Sequence, residues 1–345
     1  MKTRMKTRMR MRMKMRVELR MELPKKIHRR SALMCVSFVA FAVAGSLITL
    51  NLGQFSGAIT PAEAFIINQL LLPRIFTAVL AGGVLALAGA VFQSVTRNPL
   101  GSPDVLGFTQ GASTGALIGA TVLGGGVVAV AGLAWIGAVG SAAAVYVVAR
   151  RGGVTGGARL VLVGIGVAVI LAGVNEYLLT RANIVDAAQA SLWITGSLDG
   201  SGWSSVTLLG SAAVLLTPPL LLASRPLRIL EMGDDLATGL GLRAERVRLL
   251  TLAAAVLLAA CAAAQTGPVA FVALCAPHIA RRLTRATGPN LLPSFLLGAA
   301  LLEWADYLSQ RAIPNRELPV GVVTGVLGGG YLVYLLANQR RIGRI

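Results

Sequence analysis

The chain has 345 residues, of which 55% are hydrophobic and only 13% charged, with a formal net charge of +18. The charged residues cluster between long apolar runs, which excludes a soluble domain built on amphipathic surface helices and describes a polytopic membrane protein. Nor does the positive charge describe a nucleic-acid binder, because thirteen Lys/Arg against two Glu fall in residues 1–30 and the rest of the chain carries only +7.

The first element, MKTRMKTRMRMRMKMR, alternates Met with Lys/Arg and has no apolar face, so residues 1–30 are expected to form a disordered basic tail. Two readings stand for it: a segment that touches anionic lipid headgroups, or a mis-assigned start with Met21 as the true one. A cleaved signal peptide is disfavoured by the length of the basic region. Residues 31–345 then form an all-α membrane domain with about ten spans, at 31–50, 67–96, 104–123, 127–149, 159–180, 204–223, 247–266, 269–281, 292–310 and 319–337. The eighth is short for a full crossing. Gly82, Ala86 and Ala90 make a small-residue ladder suited to close helix contact. With the basic end in the cytoplasm, the inner connections hold most of the arginines, while Arg74, Arg181, Arg311 and Arg316 lie outside. That bias places both termini inside and agrees with an even number of spans.

Chemistry-bearing patterns are sparse. There is no phosphate-binding G-x-x-x-x-G-K-[ST] motif, and RRGGVTGGAR at 150–159 has no lysine, so this chain is not expected to bind ATP or act as an enzyme by itself. Cys35, Cys261 and Cys275 have no paired spacing and His28 and His278 stand apart, which gives neither a disulfide framework nor a metal site. Asn175, Glu176, Glu303 and Asp306 fall inside predicted spans, where polar groups are costly; they read either as a proton relay or as structural contacts near the outer boundary. The polar stretch 225–248 puts Gly233, Ala237, Leu240 and Gly241 on one face if helical, flanked by Asp234, Asp235 and Arg243. That face suits a partner's groove, with an ordinary solvated loop as the other reading.

Six stretches together resemble the FecCD-type permeases of iron-siderophore and cobalamin ABC importers. They are LPR at 72–74, RNPLGSPDVLGFTQGAS at 97–113, WITGSL at 193–198, LEMGDDLATGLG at 230–241, GPVAFVALCAPHIARRL at 267–283 and ELPVGVVTGVLGGGYLVYLL at 317–336. The combination is most similar to the ferric enterobactin branch, which implies a catecholate-type ferric siderophore as substrate. Cobalamin or haem uptake is the alternative within the family, and a proton-coupled secondary transporter the alternative outside it.

The resemblance implies a type II importer. Two ten-helix permeases, identical or homologous, enclose a pathway in the cytoplasmic membrane. A cytoplasmic ATPase dimer uses ATP and Mg to drive it, and an extracytoplasmic binding protein delivers the chelate; this chain itself holds no cofactor. It implies a cytoplasmic gate at Asn98 and Leu100, with a second gate element at Gly156, Gly157 and Ala158, where the cobalamin permease carries hydroxyls. It implies ATPase coupling through Gly233, Asp234, Ala237, Leu240 and Gly241. Binding-protein docking would use Arg74, with Arg311 and Arg316 as local substitutes, because Leu71 and Gln310 stand where the cobalamin permease has arginines.

Overall fold

A computed structural model describes residues 30–50, 60–151, 154–155, 157–314 and 316–341. The basic tail therefore lies outside the described residues, apart from Arg30, as does Gly156. The chain forms α1 (Arg30–Leu50), α2 (Pro61–Ile66), α3 (Leu72–Thr96), α4 (Phe108–Leu117), α5 (Val127–Ala149) and α6 (Gly157–Arg181). It continues with α7 (Ile184–Thr195), α8 (Trp203–Leu222), α9 (Ser224–Glu231), α10 (Asp234–Gly239) and α11 (Ala244–Thr266), and closes with α12 (Val272–Thr284), α13 (Leu291–Arg311) and α14 (Val320–Arg341). Single π turns join α2 to α3 and extend α4 to Val122. A two-residue antiparallel ribbon, Arg150–Arg151 with Val154–Thr155, precedes α6.

Each predicted span has a helical counterpart. Among the described residues, seven helices are long and apolar enough to cross a membrane. The remaining spans are α4 with its π turn, α12, which at 13 residues is the short one, and α14. Helix α7 was not expected, because its IVDAAQASLWIT is too short and too polar to read as a span.

Why the bundle closes as it does follows from α3. From Ala81 to Thr96 every residue of this helix is buried, and its small residues are where other backbones arrive. A Cβ at Gly89 would lie 1.7 Å from the Ala273 carbonyl oxygen of α12, and one at Gly298 of α13 would lie 2.2 Å from the Ala86 Cβ and 2.4 Å from the Gly82 oxygen. Backbones that touch this closely gain dispersion contact that lipid cannot match. Gly82 and Ala86 of the expected ladder thus lie in the crossing of α3 with α13, and Ala90 is buried further along the same helix. The outer helices, by contrast, present Val36, Val147, Leu162, Val169 and Val214 outward, as lipid requires.

Gly298→Ala should therefore destabilise the protein by about 2 kcal/mol or more, since neither contacting backbone can yield. Gly325→Ala, where a Cβ meets nothing within 4 Å, is the matched control. Thermal unfolding in detergent reads the difference, and equal melting of the two variants contradicts the close crossing.

Candidate functional site

One end of the bundle carries Arg97, Arg150, Arg159, Arg225, Arg228, Arg243, Arg246, Arg281 and Arg282. The start of α1 sits at the same end, with Arg30 Nε donating to the Leu283 carbonyl at 2.9 Å. Here α3 stops abruptly. Arg97 takes a left-handed conformation (φ 53°), and the Asn98 N–H reaches back to the Gln93 carbonyl, the six-residue closure that ends a helix. Asn98 Oδ1 then accepts the Leu100 N–H at 2.9 Å, so Asn98 folds the turn on itself and leaves Leu100 on the surface. Gly101 has no room for a side chain: a Cβ would come 2.4 Å from the Thr96 hydroxyl.

The two segments expected to form the gate meet directly. A Cβ on Gly157 would lie 2.7 Å from the Thr96 carbonyl oxygen, so the amino end of α6 rests on the last turn of α3. Ala158 beside it is exposed. The structure thus brings Asn98, Leu100, Gly157 and Ala158 into one neighbourhood.

Next to this turn lies the 225–248 segment, and here one expectation is corrected. Gly233, Ala237, Leu240 and Gly241 do not share the face of one helix. Gly233 has φ 121° and breaks the chain between α9 and α10, while Gly241 at φ 79° ends the turn after α10. Ala237 is fully buried beneath the elbow. The outward face instead carries Met232, Leu236 and Leu240, which are 63%, 51% and 63% exposed. Sequence reasoning found Leu240 and missed the other two, because the break at Gly233 separates Met232 from the helix that carries Leu236.

Charged side chains bind this elbow to the bundle. The Asp234 carboxylate accepts two hydrogen bonds from Arg248, at 2.8 and 2.9 Å, and one from Arg97 at 3.1 Å. Arg248 is only 1% exposed and also pairs with Glu245 at 2.6 Å, whose other oxygen accepts from the Tyr146 hydroxyl of α5 at 2.7 Å. In parallel, the Ser94 hydroxyl donates to Glu231 at 2.6 Å. Burial of Arg248 is tolerable because its charge is met by two carboxylates at hydrogen-bond distance.

At the other end of the bundle a second cluster forms around Arg74. Its guanidinium binds Asp306 in a two-pronged contact, at 3.0 and 2.9 Å, and reaches Asp199 at 3.0 Å and Glu317 at 3.2 Å. Gln310 adds a bond to Asp306 at 2.8 Å. Arg74, expected to dock the binding protein, has a side chain only 16% exposed and turned inward, tying α3, α13 and the two linkers that hold Asp199 and Glu317. The rim there offers carboxylates, with Asp199 and Glu317 exposed by 59% and 56%, while Arg311 and Arg316 lie exposed nearby.

The polar residues inside the predicted spans fall mostly into local contacts. Asp306 faces Arg74, Glu303 accepts from Ser46, and Asn175 accepts from Thr114 at 2.6 Å and donates to Gln110 at 3.0 Å. Glu176 points outward. This is the structural-contact reading, and no chain of carboxylates links the two ends among the described residues. Between the ends lies a chamber of about 390 Å³ whose wall includes Thr109, Gln110, Ser113, Thr195 and Asp104. A second, of about 540 Å³, is lined in part by Trp193, Ser197, Gln265 and Thr266. Asp104 was overlooked in the sequence, and both its carboxylate oxygens are enclosed without a hydrogen bond. Among the described residues no three His, Cys, Asp or Glu side chains come together to hold a metal ion.

A multi-pass bundle with cavities of mixed apolar and polar lining, an abrupt turn at one end and an anchored elbow beside that turn fits the membrane subunit of a transporter. The chain belongs to the FecCD transport family, whose model matches residues 31–338. It is 38% identical over 326 residues to the ferric enterobactin transport system permease protein FepG of Escherichia coli (strain K12), covering 91% of this chain and 98% of that one. The achromobactin transport system permease protein CbrC of Dickeya dadantii (strain 3937) is 39% identical over 282 residues, covering 80% of each. Among solved structures, a metal-chelate type ABC transporter in an inward-facing conformation superposes with a TM-score of 0.81 at 26% identity, covering 89% of this chain and 99% of that one. The fold is that of an ABC importer transmembrane domain, and the family is the one expected from the motifs.

Proposed function

We propose that this permease carries a ferric siderophore of the catecholate class inward across the cytoplasmic membrane, powered by a separate ATPase. The observation that carries the substrate class is the near full-length similarity to a ferric enterobactin permease. In this reading the arginine-rich end faces the cytoplasm, as the positive-inside rule favours. The turn around Asn98 and Leu100, with Gly157 and Ala158 against it, is the cytoplasmic gate. Met232, Leu236 and Leu240 form the surface that docks in the ATPase, shaped by Gly233, Ala237 and Gly241. A second permease, homologous or identical, completes the pathway, and a binding protein delivers the chelate to the rim around Asp199, Glu317, Arg311 and Arg316. The cavity walls favour this role: apolar side chains with scattered hydroxyl and amide groups hold a bulky chelate weakly enough for it to leave.

Reconstitution of the permease complex with its ATPase and binding protein in vesicles tests the reading. ATP-dependent accumulation of radio-iron supplied as a catecholate chelate is the expected result. Accumulation only from citrate or hydroxamate chelates moves the substrate class, and failure with every ferric chelate overturns the proposal.

A further inference from the structure

The contacts of Asp234 give this residue a task that sequence position alone does not reveal. Asp234 opens α10 and sits where a docking residue would face a partner, yet its carboxylate points into the protein. It is shared by two guanidiniums: Arg248, rooted in α11, and Arg97, the residue that ends α3 and begins the gate turn. Three residues earlier on each side, Ser94 binds Glu231. Because 94 and 97 share one face of α3 and 231 and 234 flank the Gly233 break, the two bonds form parallel rungs between the helix that ends in the gate turn and the elbow.

The two contacts of Asp234 are unequal. Arg248 is enclosed and holds Asp234 with both oxygens, so that half is a fixed anchor. The Arg97 half is partly open, with side-chain exposures of 37% and 31% for Arg97 and Asp234, and it meets one oxygen only. A single, solvent-reached ion pair can open and close at small cost. It joins two bodies that must move together or apart: the elbow on one side, and on the other the end of α3 with Gly157 packed on it.

We propose that the Arg97–Asp234 pair is the transmission contact between the elbow and the gate turn, with Asp234 acting as a positioning residue through Arg97 and not through contact with the ATPase. This rests on the ABC permease reading. A displacement of the docked elbow pulls Asp234, which draws Arg97 and with it the start of the turn. Arg248 keeps Asp234 in register throughout.

Arg97→Gln removes the charge and keeps an N–H donor on a shorter side chain, and it leaves the Arg248 anchor untouched. In the reconstituted complex this variant should lower chelate imported per ATP hydrolysed by about five-fold or more, with ATPase assembly unchanged. Arg97→Lys, which keeps the charge, should recover most of the ratio. If Arg97 serves only to end the helix, Gln and Lys will behave alike, and that outcome overturns the proposal. The Asp234→Asn variant and the double variant Arg97→Gln with Asp234→Asn complete a mutant cycle: the double should be no worse than Asp234→Asn alone, and additive losses count against a shared pair. Wild-type complex that imports no ferric chelate condemns the permease reading itself. Wild-type import with a normal ratio in Arg97→Gln condemns only the transmission contact.

Discussion

Arg74→Ala is expected to destabilise the permease by about 3–5 kcal/mol, because it strands a buried carboxylate that has lost its charge partner. Asp306 is 3% exposed, and its companions within hydrogen-bond reach are Arg74 and Gln310. Around it, α13 is anchored to α3 and to the linkers that contain Asp199 and Glu317. The same argument predicts a rescue: Arg74→Ala combined with Asp306→Asn should regain a large part of the loss, since a neutral amide costs far less to bury than an unpaired carboxylate. Arg74→Lys should rescue poorly, because an ammonium cannot reproduce the two-pronged contact while also reaching the other two carboxylates. Unfolding of detergent-solubilised protein measures all three. Were Arg74 a docking residue with a free guanidinium, the alanine variant would melt like the wild type and lose only affinity for the binding protein.

This cluster also shows where sequence reading reaches its limit. Arg74 and Asp306 are 232 positions apart, and each was noticed separately: the arginine as a rim residue, the carboxylate as an oddity inside a span. Nothing in either local pattern declares the other as its partner. Spans were legible because a run of about 20 apolar residues is a local property. The close approach at Gly82 and Gly298 was half legible, since a small-residue ladder announces a crossing without naming the helix that crosses. The elbow was misread for a definite reason. A helical projection assumes continuous helix, and Gly233 at φ 121° interrupts it, which rotates Ala237 into the core and brings Met232, Leu236 and Leu240 outward. The turn after α3 was the best case, because its Asn, Pro and Gly each act on neighbouring residues only, and the turn they specify is the one found.

The outward face of the elbow gives the second large effect. Leucines exposed by 51% and 63% beside Arg243 and Arg246 are costly in water unless something covers them, and a soluble partner's groove is the proposed cover. If each of Leu236 and Leu240 contributes about 2 kcal/mol on burial at that interface, replacing both with aspartate should weaken assembly with the ATPase about a thousand-fold. Aspartate also leaves a charge in an apolar groove, so the loss should exceed that of alanine at the same two positions. Since both side chains are exposed in the free permease, melting of the isolated subunit should stay within about 0.5 kcal/mol of wild type. Co-purification with the ATPase and chelate uptake should both fall to background. Normal assembly in the Leu236→Asp, Leu240→Asp variant would move the docking surface elsewhere and leave the Asp234–Arg248 anchor without a driven partner.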